Sequence, residues 1–131
     1  IIVRLPLASG LLAGKWTKET TFAPTDHRTY NADGKAFNVG ETFSGLPFAT
    51  GVKLADELKA LVPRGLPMSQ FALRWLLDQP AVSTVIAGVT RPEQLEDNVA
   101  AARRDPLAPA LVEELADWYR HKVRPQIRGA I

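Results

Sequence analysis

Cysteine is absent from this 131-residue sequence, and with it go disulfides, thiol nucleophiles and Cys-based metal sites. That absence is compatible with a reducing compartment, and a cytoplasmic location is the expectation. Long hydrophobic runs are missing too. Nothing approaches the roughly 18 consecutive apolar residues that a membrane-spanning helix needs, and the stretch from Leu5 to Gly14 is interrupted by Pro6, Ser9 and two glycines. Ile1 to Leu7 holds one arginine and no cleavage site, so no secretory leader is expected there. A start at Ile1-Ile2-Val3 without an initiating Met reads as a stretch cut from something longer. An excess of one charge is lacking as well: 16 basic and 14 acidic side chains leave a net +2, too little to point to nucleic acid. Most of the basic surplus (Arg103, Arg104, Arg120, Lys122, Arg124, Arg128) lies late in the chain and reads as a solvated helix face and tail. With 46% hydrophobic and 23% charged residues, the chain has the makings of one modest domain rather than a disordered tail.

What is present alternates. Ile1 to Leu5 is β-branched and apolar, ends at Pro6, and reads as a short strand covered on both faces. Residues 16–48 show no sustained period and contain Pro24, Asp33-Gly34, Gly40 and Pro47, so they read as a long loop. Loops of that length in a compact domain are usually functional or disordered. Phe22, Tyr30, Phe37, Phe43 and Phe48 give this one something to bury. Val52, Ala55, Leu58 and Val62 fall at helical spacing within a helix expected over 49–62, closed by Pro63 and Gly65. A second helix is expected over about 68–79, apolar around most of its circumference, with Pro67 near its first turn and Pro80 closing it. Val82 to Ala87 is the second strand. Pro92 opens a helix to about Ala102, and a last helix runs over about 108–122 until Pro125. Strands separated by helices predict a parallel α/β arrangement. Two strands cannot close a barrel, so the expected partner is missing sequence or another copy of the chain.

Two segments carry candidate chemistry. After the second strand comes Gly88-Val89-Thr90-Arg91-Pro92-Glu93-Gln94. A short strand-to-helix turn leaves unpaired N–H groups and a partial positive charge that favour an anion. Thr90 adds a hydroxyl and Arg91 a permanently charged planar fork, with Gln94, Asp97 and Asn98 following at helical spacing. Taken alone, this reads as a capped helix with a surface arginine. After the first strand comes Pro6-Leu7-Ala8-Ser9-Gly10-Leu11-Leu12-Ala13-Gly14-Lys15, whose small residues let backbone approach a ligand. It is not a P-loop: Ser9 stands where that motif needs Gly, and Trp16 follows the lysine. Taken alone, it reads as a glycine-rich turn with a surface lysine.

Together with Gln70-Phe71-Ala72-Leu73-Arg74-Trp75-Leu76-Leu77, Val82 to Gly88 and Glu93-Gln94-Leu95-Glu96-Asp97-Asn98, these segments resemble the aldo-keto reductase family, in order and in spacing. Phe37-Asn38-Val39-Gly40-Glu41-Thr42-Phe43 is similar to a loop of the bacterial branch related to potassium-channel β subunits. The resemblance implies the C-terminal part of a (β/α)8 TIM barrel, residues 1–131 giving strands 7 and 8, their helices and the C-terminal helix, with the site at the carboxyl ends of the strands. It implies an oxidoreductase transferring hydride between NADP(H) and a small aldehyde or ketone, with neither nucleic acid nor membrane as partner. Pro6, Leu7, Ala8 and Ser9, through their backbone, and Lys15 would hold the pyrophosphate. Gly88, Thr90, Arg91, Gln94, Asp97 and Asn98 would hold the adenosine end, with Thr90 and Arg91 on the 2′-phosphate. Arg28 matches a loop position that closes over the cofactor. Asp97 stands where many members have Glu, and its shorter carboxylate would receive the adenine amino group. The family's catalytic Tyr, Lys, Asp and His lie in the first half of the barrel. Tyr30, Tyr119, His27 and His121 do not match them, so no catalytic residue and no metal ligand is assigned. The isolated chain is expected to be inactive, either as a cofactor-binding part of a larger enzyme, as a non-catalytic NADP(H)-binding or regulatory module, or as an inert truncated piece. Trp75 and Trp118, on apolar helix stripes, read as core, and Trp16 and Phe22 as packing residues, with lining of the substrate mouth as the alternative.

Overall fold

A computed structural model describes residues 1–129. Two strands, β1 (Ile2–Val3) and β2 (Thr84–Val85), pair in parallel with Ile2 opposite Thr84 and Val3 opposite Val85. The ladder extends by Ser83 N–H to the Ile1 carbonyl and Ile86 N–H to the Val3 carbonyl, both 2.9 Å. The parallel α/β arrangement expected from the sequence is therefore present. Both strands are shorter than the apolar runs that announced them, because among the described residues each has a single neighbour and the last bond between them is Ile86 N–H to the Val3 carbonyl.

Among the described residues five α-helices follow the turn chemistry. They are α1 (His27–Tyr30), α2 (Phe48–Lys59), α3 (Met68–Leu77), α4 (Pro92–Ala102) and α5 (Pro109–Trp118). Prolines sit at the N-caps of α2 and α3 (Pro47, Pro67) and inside the first turns of α4 and α5 (Pro92, Pro109), where a missing N–H costs least. The last helix does not run regularly to Lys122: a wider π turn takes over at Tyr119–Val123 and a 3-10 turn at Arg124–Gln126 holds Pro125.

The main core is built from one face each of α2, α3 and α5. Ala55 and Leu58 of α2, Met68 and Phe71 of α3 and Leu115 of α5 bury together, with Trp75 and Trp118 against them. The apolar stripes thus serve as packing, as their spacing implies. Leu46, Leu54 and Val123 form a smaller cluster that ties the irregular C-terminal turns back to α2.

Residues 16–48 depart from the structureless loop expected of them. They contain α1 and two 3-10 turns, Val39–Glu41 and Phe43–Gly45. Asn31, fully buried, organises them: its Oδ1 accepts from the N–H groups of Ala36 (3.0 Å) and Phe37 (2.9 Å), and its Nδ2 donates to Thr42 Oγ1 at 3.0 Å. Those bonds follow no period, which is why the pattern of apolar residues hid them.

The expectation that the strands are covered on both faces is corrected. Val3 and Val85 are half-buried towards the helices, while Ile2 (63% exposed) and Ile86 (59% exposed) lie on a face that no described element covers. Parallel sheets almost always have both faces covered, so this one is a partial layer.

Candidate functional site at the carboxyl rim of the strand pair

Because β1 and β2 are parallel neighbours, the segments leaving their carboxyl ends emerge on one rim, about one strand spacing apart at the point of departure. Both segments singled out in the sequence are on that rim.

The first turns sharply. Leu5, Ala8 and Ser9 all have left-handed backbone (φ 51°, 48° and 56°), followed by Gly10 at φ 99°. Such conformations cost on the order of 1–3 kcal/mol per non-glycine residue and gather at ligand-binding turns. Leu7 accepts twice, from Gly10 (2.9 Å) and Leu12 (3.2 Å), which closes the turn. Gly10 is required by its neighbour as well as its φ: a Cβ there would come 2.8 Å from Trp16 Nε1. Trp16 therefore lies on the turn and packs, with Phe22 and Phe48, around Leu11, Phe43 and Val52. The Ser9 hydroxyl is engaged. It donates to the Glu41 carbonyl (3.4 Å) and accepts from Phe43 N–H (3.1 Å), which fastens the turn to the long loop. Lys15 is exposed just beyond the turn and has no hydrogen-bond or ion-pair partner among the described residues.

The second segment is open. Gly88, Thr90 and Arg91 are exposed, and a Cβ at Gly88 would meet nothing within 4 Å. Arg91 is the N-cap residue of α4 and, like Lys15, has no partner among the described residues. Gln94 reaches back over the helix start, its Oε1 accepting from Thr90 N–H (2.7 Å) and Thr90 Oγ1 (3.1 Å). These bonds, made to the residue before the N-cap, fix the entry of the chain into the helix. Asp97 and Asn98 diverge: Asp97 accepts from Gln70 Nε2 at 3.4 Å, whereas Asn98 faces a cleft of about 310 Å³ between β2, α3 and α4, walled by Leu73, Leu77, Val85 and Leu95.

Arg28 bonds to neither segment and meets the first only through Trp16. On α1 it is held by Asp26 through Nε (3.0 Å) and Nη2 (2.8 Å), and its guanidinium stacks over Phe22 (4.6 Å) and Trp16 (5.4 Å). That side-chain hydrogen bond from Arg28, strengthened by the nearby charge, lowers the Asp26 carboxyl below its ordinary value. Among the described residues no hydrogen bond or ion pair joins the first segment to the second.

The four side chains set aside in the sequence form no acid–base group. Tyr30 packs edge-on against Phe37, Tyr119 is exposed on the C-terminal turn, His27 lies 3.4 Å from Asp26, and His121 Nδ1 lies 2.8 Å from the Asp117 carbonyl. Among the described residues no group of three acidic or His side chains is placed to hold a metal, and no helix is long and apolar enough to cross a membrane.

One polar side chain at this site carries no signal in the periodicity. Gln70, 4% exposed on α3, contacts Asp97 and also Arg104. A glutamine inside an otherwise apolar helix face is the cue, since buried amides are almost always partnered; the partners themselves are distant in sequence.

The Aldo/keto reductase family matches residues 1–120. An L-glyceraldehyde 3-phosphate reductase of Escherichia coli O157:H7 is 34% identical over 88% of the chain and 31% of its own length. A probable voltage-gated potassium channel subunit beta of Arabidopsis thaliana is 33% identical over 82% of the chain and 31% of its own. A human aflatoxin B1 aldehyde reductase member 4 is 34% identical over 82% of the chain and 35% of its own. The chain thus spans about a third of the length of these curated relatives.

Proposed function

The chain belongs to the aldo/keto reductase family, and from that premise we propose that it forms strands 7 and 8 of a (β/α)8 barrel and holds NADP(H) across their carboxyl rim. The observation that carries the reading is the parallel register of β1 and β2, which brings the strained turn after β1 and the open start of α4 to the same edge. The donor set fits a phosphorylated dinucleotide. Lys15 and Arg91 are exposed cations on or beside that rim, without hydrogen-bond or ion-pair partners among the described residues, and a cation at a helix N-terminus suits phosphate.

In this reading the backbone of Pro6, Leu7, Ala8 and Ser9, with Lys15, grips the pyrophosphate. Thr90 and Arg91 grip the 2′-phosphate, so NADP is preferred over NAD. Gly88 leaves room for the adenosine, and Gln94, Asp97 and Asn98 line its path. Arg28 reaches the cofactor by leaving Asp26. When bound, the nicotinamide supplies the hydride for an aldehyde or ketone. The residues that handle the proton belong to the remainder of the barrel, which would also cover Ile2 and Ile86. A cytoplasmic location goes with this reading. A second reading, a non-catalytic NADP(H)-binding or regulatory module, draws on the similarity to proteins named as potassium channel β subunits.

Titrating NADPH with the chain and following nicotinamide fluorescence tests the proposal. Saturable binding at micromolar levels is the expected result; a flat signal would overturn the assignment of cofactor binding to this segment.

A further inference from the structure

Arg104 donates to Gln70 Oε1 through Nε (3.1 Å) and Nη2 (3.0 Å). A guanidinium only donates, so this fork fixes which end of the Gln70 amide is oxygen. The amide nitrogen then faces the opposite way, and there it meets Asp97 Oδ1 at 3.4 Å. Gln70 is more than nine-tenths buried, so neither end can turn away without abandoning a partner in a place water scarcely reaches. Asp97 itself is exposed on α4, where a short carboxylate would otherwise sample several rotamers.

We propose that Gln70 is a positioning residue, set by Arg104, that aims the Asp97 carboxylate at the amino group of a bound adenine. The inference rests on the reading of the rim as a dinucleotide site and deepens it. Asp97 has two oxygens; with Oδ1 held by the amide, Oδ2 is the one left to accept from the ligand. Chains of hydrogen bonds also polarise one another, so the Arg104 charge is felt at the carboxylate through the amide. The relay ties α3, α4 and the turn after α4 to one point of adenine recognition, and it compensates for an acidic side chain of minimal reach.

The test compares NADPH with its analogue carrying hypoxanthine in place of adenine, which lacks the amino group, on the chain and on Gln70→Met and Asp97→Asn variants. The chain is expected to bind NADPH about tenfold more tightly than the analogue, and Gln70→Met to cut that preference to about twofold while leaving the analogue's affinity unchanged, as loss of one aligned hydrogen bond dictates. Asp97→Asn should do the same, and the double variant no more. Equal weakening of both ligands by Gln70→Met would show a purely structural amide and overturn the proposal, as would an intact preference in that variant. No preference in the unaltered chain would remove the Asp97–adenine contact but leave the dinucleotide site standing, whereas no binding of either ligand would sink the site itself. Independently of any cofactor, the side-chain amide resonances of Gln70 should move on Asp97→Ala and stay put on Glu96→Ala; unmoved resonances in the first would contradict the relay.

Discussion

Residues 16–48 hold themselves together with side chain-to-backbone bonds and a cluster of aromatics, whereas residues 82–102, regular in pattern, leave much of their apolar surface in water. The irregular segment buries Asn31, Thr42 and Phe43 almost completely and packs Phe22 edge-to-face with Trp16 and Phe48, ring centroids 5.2 and 5.3 Å apart. The regular one exposes Ile86, Val89, Leu95 and Val99. Periodicity reports which element forms; it does not report whether that element finds its cover within the same stretch of chain. The long loop finds its cover within the described residues, through its own bonds and through Ser9 and Arg128 from outside it, while the strand–helix unit keeps one side open.

If that contrast is right, the largest loss should come from the loop's organiser. Asn31→Ala strands the N–H groups of Ala36 and Phe37 and the Thr42 hydroxyl, and should destabilise the loop by about 3 kcal/mol, since each buried unpaired group costs roughly 1–3 kcal/mol. Hydrogen exchange should show fast amides over 31–43 with α3 still protected; unchanged exchange there would break the comparison. Next comes the open segment, where the cost should fall on ligand and not on fold. Arg91→Ala should weaken NADPH by about 2 kcal/mol, the scale of a charged hydrogen bond, with NADH and thermal stability little changed. Equal loss for both nucleotides would remove the 2′-phosphate from Arg91.

A smaller effect is expected at Asp26. Its carboxyl is lowered from the ordinary 3.8 by Arg28. A depressed carboxyl contributes stability above its unfolded value, and that contribution drains away as pH falls through the folded one. Below about pH 4 the Arg28 amide resonance, bonded to Asp26 Oδ1 at 2.9 Å, should therefore move, and Asp26→Asn should abolish the transition at a cost of ~1 kcal/mol. Persistence of the transition in the variant would assign it elsewhere. The smallest effect should be Leu95→Gln, within about 0.5 kcal/mol because the side chain is 55% exposed. A loss above 1 kcal/mol would mean that the open face is already covered.

What the sequence displayed follows from the range of the forces involved. α4 spans Pro92–Ala102, as read, because a proline start and helical spacing are local signals. The strands were overrun at both ends, since pairing depends on a neighbour 82 positions away (Ile2 with Thr84). The loop's order was invisible because Asn31 recognises backbone N–H groups, and any residue type can supply those. Both rim segments were legible as motifs, and their meeting on one edge was legible only through the resemblance. Gln70 stood inside a quoted motif, yet its partners Asp97 and Arg104 lie 27 and 34 residues on, beyond what spacing along one helix can convey.

In the proposed site a single ligand engages both exits of the strand pair. Adding NADPH to the isotope-labelled chain should shift the backbone amides of Leu7, Ala8 and Ser9 together with those of Thr90, Arg91 and Gln94, all fitting one dissociation constant. Shifts confined to one of the two stretches, or two unrelated constants, would contradict it.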